Sequence, residues 1–338
     1  MEPITYSAPP ESVTGPAALP SAPRSPAVQH TLHHTISCVG TGLHTGACIT
    51  LTLQPAPAGH GVVFKRSDLN AAFLPARFDY VVDTRLSTVL GDPTNPANRI
   101  ATIEHLMAAL NGCGIDNVLV LVDGPEIPVF DGSAADFVFL MDCAGRVAQD
   151  AVRHRIDVLR PVRVEQNGAF VELSPAPVQS LHLDMSIDFP AEAIGKQTFS
   201  TELTPTTFRR DLARNRTFTL RQEIEALHKA GLARGGSLEN AIVVDGAEIL
   251  NPSGLRCPDE FIRHKVMDAV GDLYLAGAPL RARFTGHRSG HCLNNKVLRA
   301  LFADPSAWRY VPAHAGFSLA SAQGACAQNT KSAFIPFS

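Results

Sequence analysis

Charge is scarce in this sequence. Asp, Glu, Lys and Arg make up only 18% of its 338 residues, and 29 basic against 32 acidic side chains leave a net charge of −3. No Lys/Arg cluster stands out, so neither nucleic acid nor a membrane surface is expected as a partner, and an anionic ligand must be held by a few placed cations. Cysteine provides no framework either. The seven cysteines, scattered from Cys38 to Cys326, are odd in number and contain no CxxC pair. That argues against a disulfide scaffold or a cysteine zinc site and points to a reducing compartment. No apolar run approaches the roughly 18–20 residues that a membrane span needs. The first residues lack the basic and apolar regions of a secretory signal. The expectation is a soluble, cytoplasmic monomer without stable membrane insertion. A Walker phosphate loop, an HExxH segment and a GxSxG elbow are all missing, which removes support for NTPase, thermolysin-like and serine-nucleophile chemistry.

What is present is apolar material, at 45% of the chain, and a length that suits two domains better than one. Pro9-Pro10, Pro16, Pro20, Pro23 and Pro26 predict a disordered leader over residues 1–29. Order is expected to start near Thr31. Ile49, Leu51 and Leu53 alternate with threonines, and Leu181, Leu183, Met185 and Ile187 alternate with polar residues, which reads as two half-buried strands. Val118–Val122 reads as a buried strand. Thr102 is expected to cap a helix with Ile103, Leu106, Met107 and Leu110 on one face and Gly112 at its end. A longer helix is expected from about Asp259 to Ala276. Strands and helices occur in both halves without strict alternation, so the fold class is α+β. The expected domains are 30–155 and 156–312, joined near Arg155–Pro161 and followed by a tail over 313–338. A short echo between Ile115–Gly124 and Leu238–Gly246 hints at duplication, although apolar strands closed by Asp-Gly are common.

The strongest chemical signal lies on the long helix. His264 and Asp268 are four residues apart and project side by side, with Asp272 one turn further along. Two ligands at i and i+4 make a zinc half-site, because the helix fixes their separation. The same spacing also suits an exposed His–Asp pair. His105 could complete the half-site, with Glu104 beside the metal but not bound to it. Three protein ligands leave one position open for water, as catalytic zinc requires, and a neighbouring carboxylate can take the water's proton. Such Glu-His pairs are also frequent on solvated first turns. In Thr285–His291, flanking glycines predict a tight loop entering a helix, with His291 available as general acid and Arg288 as a phosphate contact. An ordinary exposed glycine turn fits the same residues. The segment Gly40–Gly46 has dinucleotide-loop glycines, but a strand follows it, so the pyrophosphate logic fails.

Several motifs in one order resemble the bacterial UDP-3-O-acyl-N-acetylglucosamine deacetylases. They are GTGLHTG (40–46), TIEHLMAAL (102–110), GIDN (114–117), EIPVFDGSA (126–134), RTF (216–218), GGS (235–237), FIRHKVMDAVGDLYL (261–275) and SGHCLNNK (289–296). The resemblance implies zinc as cofactor, with His105, His264 and Asp268 as ligands. It implies Glu104 as general base and His291 as the acid that protonates the departing amine. Asp272 would support that histidine and Thr217 would help hold the oxyanion. Lys265, Arg288, Phe218 and Leu86 would contact the substrate, a UDP-linked acylated amino sugar of lipid A synthesis.

The implied fold is two similar α+β domains, each a sheet packed against helices, with the site at the interdomain cleft. An insert near 191–233 would form an apolar acyl passage lined by Phe189, Phe199, Phe208, Phe218, Leu220 and Ile224. The chain departs from the family pattern at Thr219-Leu220, Ser87 and Arg288, which bears on passage shape and diphosphate geometry. The alternatives are a zinc amidase for another acylated sugar, a non-catalytic nucleotide-sugar binder and a purely structural protein. The last leaves the His264/Asp268/Asp272 stripe without purpose.

Overall fold

A computed structural model gives the fold of residues 27–313. The expected leader, apart from its last residues, and the expected tail beyond Ala313 lie outside the described residues. The first half runs through β1 (Val28–Leu32), β2 (Ile36–Thr41), β3 (Cys48–Pro55), β4 (Val62–Arg66), β5 (Leu74–Pro75), β6 (Val81–Asp83), β7 (Val89–Asp92), β8 (Asn95–Ile100), α1 (Glu104–Cys113), β9 (Val118–Val122), α2 (Ala135–Ala144) and β10 (Arg146–Val152). The second half begins with β11 (His154–Val158), β12 (Val162–Gln166), β13 (Ala169–Ser174), β14 (Leu181–Asp188), β15 (Lys196–Glu202) and the single turn α3 (Pro205–Thr207). It continues through β16 (Phe218–Leu220), α4 (Arg221–Lys229), β17 (Ile242–Asp245), β18 (Glu248–Ile249), α5 (Glu260–Tyr274), β19 (Leu280–His287), α6 (His291–Ala303) and β20 (Trp308–Pro312).

The two halves repeat one another strand for strand. The first sheet has the order β2-β3-β9-β4-β5, with β4 parallel to β9 and the other neighbours antiparallel. Within the second sheet, β12-β13-β19-β14-β15 follow the same path, with β14 parallel to β19 and the rest antiparallel. In each half one helix (α1 or α5) precedes the central strand and another (α2 or α6) follows it. Each half also carries a three-stranded insert before its first long helix, β6-β7-β8 or β16-β17-β18. The mixed α/β architecture of two similar units is therefore as expected. The sequence echo, however, pairs β9 with β17, and the topological counterpart of β9 is β19. Two apolar strands ending in Asp-Gly resemble each other because turns select those residues, whatever their place in the fold.

Other expectations need smaller corrections. β1 starts at Val28, ahead of Thr31, because it pairs with β10. The joint expected near Arg155–Pro161 overlaps β11, which pairs with both β19 and β20. β15 belongs to the second sheet, so the insert starts after it and extends to β18, beyond the expected 191–233. Thr102 does not cap α1: it has φ +59°, and its hydroxyl donates to Glu126 at 3.0 Å. Ile103 is the cap residue and makes no side-chain cap bond. The helix runs past Gly112 to Gly114, whose left-handed backbone (φ 69°) ends it. Gly112 serves a different need, since a Cβ there would meet the Phe208 ring at 2.2 Å.

Alternation explains the burial. Leu181, Leu183, Met185 and Ile187 of β14 are buried, and the residues between them are half-buried. The inward faces of both sheets join α1 and α5 in one hydrophobic core. The two helices meet at backbone distance: a Cβ on Gly271 would lie 2.0 Å from the Glu104 carbonyl oxygen. Gly271→Ala must therefore push α1 off α5. It is expected to destabilise the protein by about 1–3 kcal/mol, read from the denaturant midpoint.

Candidate active site

α1 and α5 cross so that His105 faces His264 and Asp268. The three side chains offer ligand atoms all within 4.8 Å of one another. Both imidazole Nε2 atoms lie 3.4 Å from Asp268 Oδ1, and the two rings stand nearly perpendicular at 85°. Asp268 Oδ1 is buried without a hydrogen-bond partner. A buried carboxylate oxygen with no donor, facing two imidazoles, fits a cation-binding cluster. The donor set, two nitrogens and one carboxylate oxygen, suits zinc. His264 Nδ1 faces the Asn215 carbonyl oxygen at 3.1 Å, so as donor there it leaves Nε2 free to bind. Burial, reinforced by His105 and Lys265, pushes His264 down to about 4 despite Asp268, which keeps it neutral as a ligand must be. Against the burial penalty, His264 and Lys265 hold Asp268 well below the usual carboxylate range.

Glu104, one residue before His105, is 4% exposed, and burial pushes its carboxyl upward. Its Oε2 accepts from the Thr88 backbone N–H at 3.0 Å, while Oε1 lies 3.8 Å from His291 Nε2. His291 starts α6, and its Nδ1 is 2.8 Å from Asp272 Oδ2. Asp272 also accepts from Asn294 and, at 2.5 Å, from the Thr88 hydroxyl. Burial opposes the His291 charge, but the Asp272 and Glu104 carboxylates outweigh it and hold the ring up to about 9. At neutral pH this histidine carries a proton to give.

A cavity of about 650 Å³ brings together Glu104, His105, Thr217, Phe218, His264, Lys265, Asp268, Arg288, His291 and Leu86. Asp272 lies beneath it, buried. Of the expected substrate contacts, Lys265 Nζ is bonded to Asp268 Oδ2 at 2.7 Å, and Asp268 keeps the ammonium charged despite its burial. Arg288 sits at the rim with φ +50°. The loop Thr285–His291 is shorter than expected because β19 runs to His287.

A second, mostly apolar cavity of about 840 Å³ shares the wall formed by Leu43, His44, Leu86, Thr217 and Phe218. Phe218 and Ile224 line it as expected. Phe189 and Leu220 line the polar cavity instead. Phe208 and Phe199 do neither. Phe208 is fully buried against Gly112, and Phe199 packs under the Arg263 guanidinium at 4.3 Å.

Sequence reasoning passed over Thr88, Asn215, Asn294 and His44. It also passed over Leu227, Val243 and Leu250 of the apolar cavity. α4 held a usable signal: Ile224 and Leu227 form an apolar stripe on an otherwise polar helix, yet no residue of α4 is buried. Such a stripe faces a cavity. Nothing local marks Thr88.

The family model described as UDP-3-O-acyl N-acetylglycosamine deacetylase matches residues 29–303. The chain belongs to this family. It is 47% identical to the UDP-3-O-acyl-N-acetylglucosamine deacetylase of Myxococcus xanthus, over 84% of this chain and 90% of that one. It is 46% identical to the enzyme of the same name from Acidithiobacillus ferrooxidans, over 84% and 92%. To the Legionella pneumophila (strain Corby) enzyme of that name it is 44% identical, over 83% and 92%.

Two expectations follow for this deacetylase-family chain. His264→Ala removes a nitrogen donor and is expected to lower metal content measured by elemental analysis; undiminished stoichiometry would exclude His264 from the ligand set. The folded His291 value, about 9, lies above the ordinary 6.5. Stability from its pairing is thus complete below pH 6.5 and lost as pH climbs through 9. Metal-free protein is expected to lose more stability over that window than metal-free His291→Gln, measured by denaturant titration.

Proposed function

We propose that this chain catalyses zinc-dependent hydrolysis of the acetamide of UDP-3-O-acyl-N-acetylglucosamine, giving UDP-3-O-acyl-glucosamine and acetate in lipid A biosynthesis. The observation that carries the reading is one cavity holding the buried His105/His264/Asp268 cluster, Glu104 and His291, beside an apolar passage. In this reading the domains are 30–155 and 156–312, with the site between them. The enzyme acts as a cytoplasmic monomer. No helix among the described residues is long and apolar enough to cross a membrane.

His105, His264 and Asp268 would hold the zinc ion. When bound, it supplies Lewis-acid polarisation of the amide carbonyl and a lowered pKa for water. Glu104 takes the proton that water loses as its oxygen attacks the acetamide carbon. The Thr217 hydroxyl donates to the oxyanion that develops as the carbonyl opens. His291, cationic and held by Asp272, gives its proton to the nitrogen as the C–N bond breaks, so that a neutral amine leaves. Lys265 and Arg288 supply the few cations that meet the anionic part of the substrate. Phe218 and Leu86 stand where the polar cavity opens into the passage and guide the acyl chain into it.

Acetate release by purified protein tests this directly. Release abolished by a chelator and restored by zinc is the expected result. Glu104→Gln is expected to retain the metal and lose about 10²–10⁴-fold in kcat. A near-normal rate in that variant would sink the base assignment, and absence of release at every acyl length would move the substrate to another acylated sugar.

A further inference from the structure

Thr88 lies just ahead of β7 and is 1% exposed. Each of its polar groups is committed. Its backbone N–H donates to Glu104 Oε2 at 3.0 Å, its hydroxyl donates to Asp272 Oδ1 at 2.5 Å, and its carbonyl accepts from the Ile103 N–H at 3.4 Å. The hydroxyl contact spans 184 positions of sequence and joins the two halves of the chain. Thr88 does not line the polar cavity, although its neighbour Ser87 does. It can act only through other residues.

The consequences are geometric. With Oε2 engaged by Thr88, Glu104 keeps Oε1 for a proton, and that oxygen is the one facing His291. Asp272 has Oδ1 held by Thr88 and Oδ2 shared by His291 and Asn294. Its carboxylate cannot turn without breaking all three contacts, so the His291 ring it supports is fixed as well. Asn294 holds Asp272 from α6 alone. Among the described residues, only Thr88 hydrogen-bonds both the Glu104 and the Asp272 carboxylates.

We propose that Thr88 is a positioning residue that locks Glu104 and the Asp272–His291 pair in register across the two halves. Its part in turnover rests on the proposed function. An ångström of misplacement in such a pair costs on the order of 10²-fold in rate.

Thr88→Val keeps the shape and the backbone N–H but removes the hydroxyl, and Thr88→Ser restores the hydroxyl. In zinc-loaded full-length protein, Thr88→Val is expected to lose about 10–100-fold in kcat with unchanged KM and metal content. Thr88→Ser is expected to recover most of the loss. An independent readout uses metal-free protein, in which the His291 ring N–H bonded to Asp272 is expected as a downfield proton resonance. That signal should persist in wild type and Thr88→Ser and shift or broaden in Thr88→Val. A wild-type kcat in Thr88→Val, a rise in KM alone, or equal losses in both variants would overturn the proposal. If wild-type protein releases no acetate, the proposed function fails. The resonance still decides whether Thr88 orders the Asp272–His291 pair.

Discussion

The apposition of α1 and α5 is the constraint on which everything else depends. Neither helix carries a complete metal site: α1 brings His105, and α5 brings the i, i+4 pair His264 and Asp268. They come together because Gly271 lets the α5 backbone lie against the Glu104 carbonyl, where any side chain would clash. That contact is tighter than ordinary ridge-into-groove packing and leaves little freedom in how the helices cross. The distance from His105 to its partners is thus set by backbone shape, which loses no side-chain entropy on folding. Since each helix belongs to one of the two repeated halves, the site exists only when both halves are folded and packed.

The sequence motifs converge in the structure through buried carboxylates. Glu126, with no exposed surface, accepts from the His44 and Thr45 backbone N–H groups, the Thr45 hydroxyl and the Thr102 hydroxyl. It therefore ties the glycine loop at 40–46, the segment after β9 and the turn at Thr102 ahead of α1 into one joint. Glu260 does the same elsewhere. It accepts from the Arg216 N–H and guanidinium, binding the segment that carries Thr217 and Phe218 to the first turn of α5. A buried pair of this kind contributes little net stability but fixes one arrangement, because breaking it strands a charge.

Legibility in the sequence followed the range of the interaction. His264 and Asp268 could be read because helical period puts them on one face, β3 and β14 because alternation is local, and β9 because it is a short continuous apolar run. Residues joined across long separations left no local trace. Thr88 looks like any small residue before a strand, and its role depends on Asp272 in the other half. Thr102 had the composition of a cap, but Glu126 captures its hydroxyl and the backbone turns left-handed instead. Phe208 was as plausible a passage residue as Phe218 until the Gly112 contact placed it in the core. The echo between β9 and β17 misled for the converse reason: local similarity reflected turn chemistry and not equivalent position.

Charge in the buried cluster also favours a bound cation. Glu104, Asp268 and Asp272 are each 2–4% exposed, and they face two cations, Lys265 and His291. His264 is held neutral by its surroundings. The acidic side chains outnumber these two bases in a medium that penalises uncompensated charge heavily. The strain falls on Glu104, whose carboxyl burial pushes upward, and on Asp268, whose Oδ1 has no donor. Lys265 and His291 already have their partners and cannot serve that oxygen as well. A divalent cation held by His105, His264 and Asp268 would satisfy the orphaned oxygen and offset the acidic excess. Its charge would also oppose the upward push that burial gives the Glu104 carboxyl. The same ion would thus act both on the oxygen it binds and on the carboxyl beside it, the two groups that the cluster leaves strained.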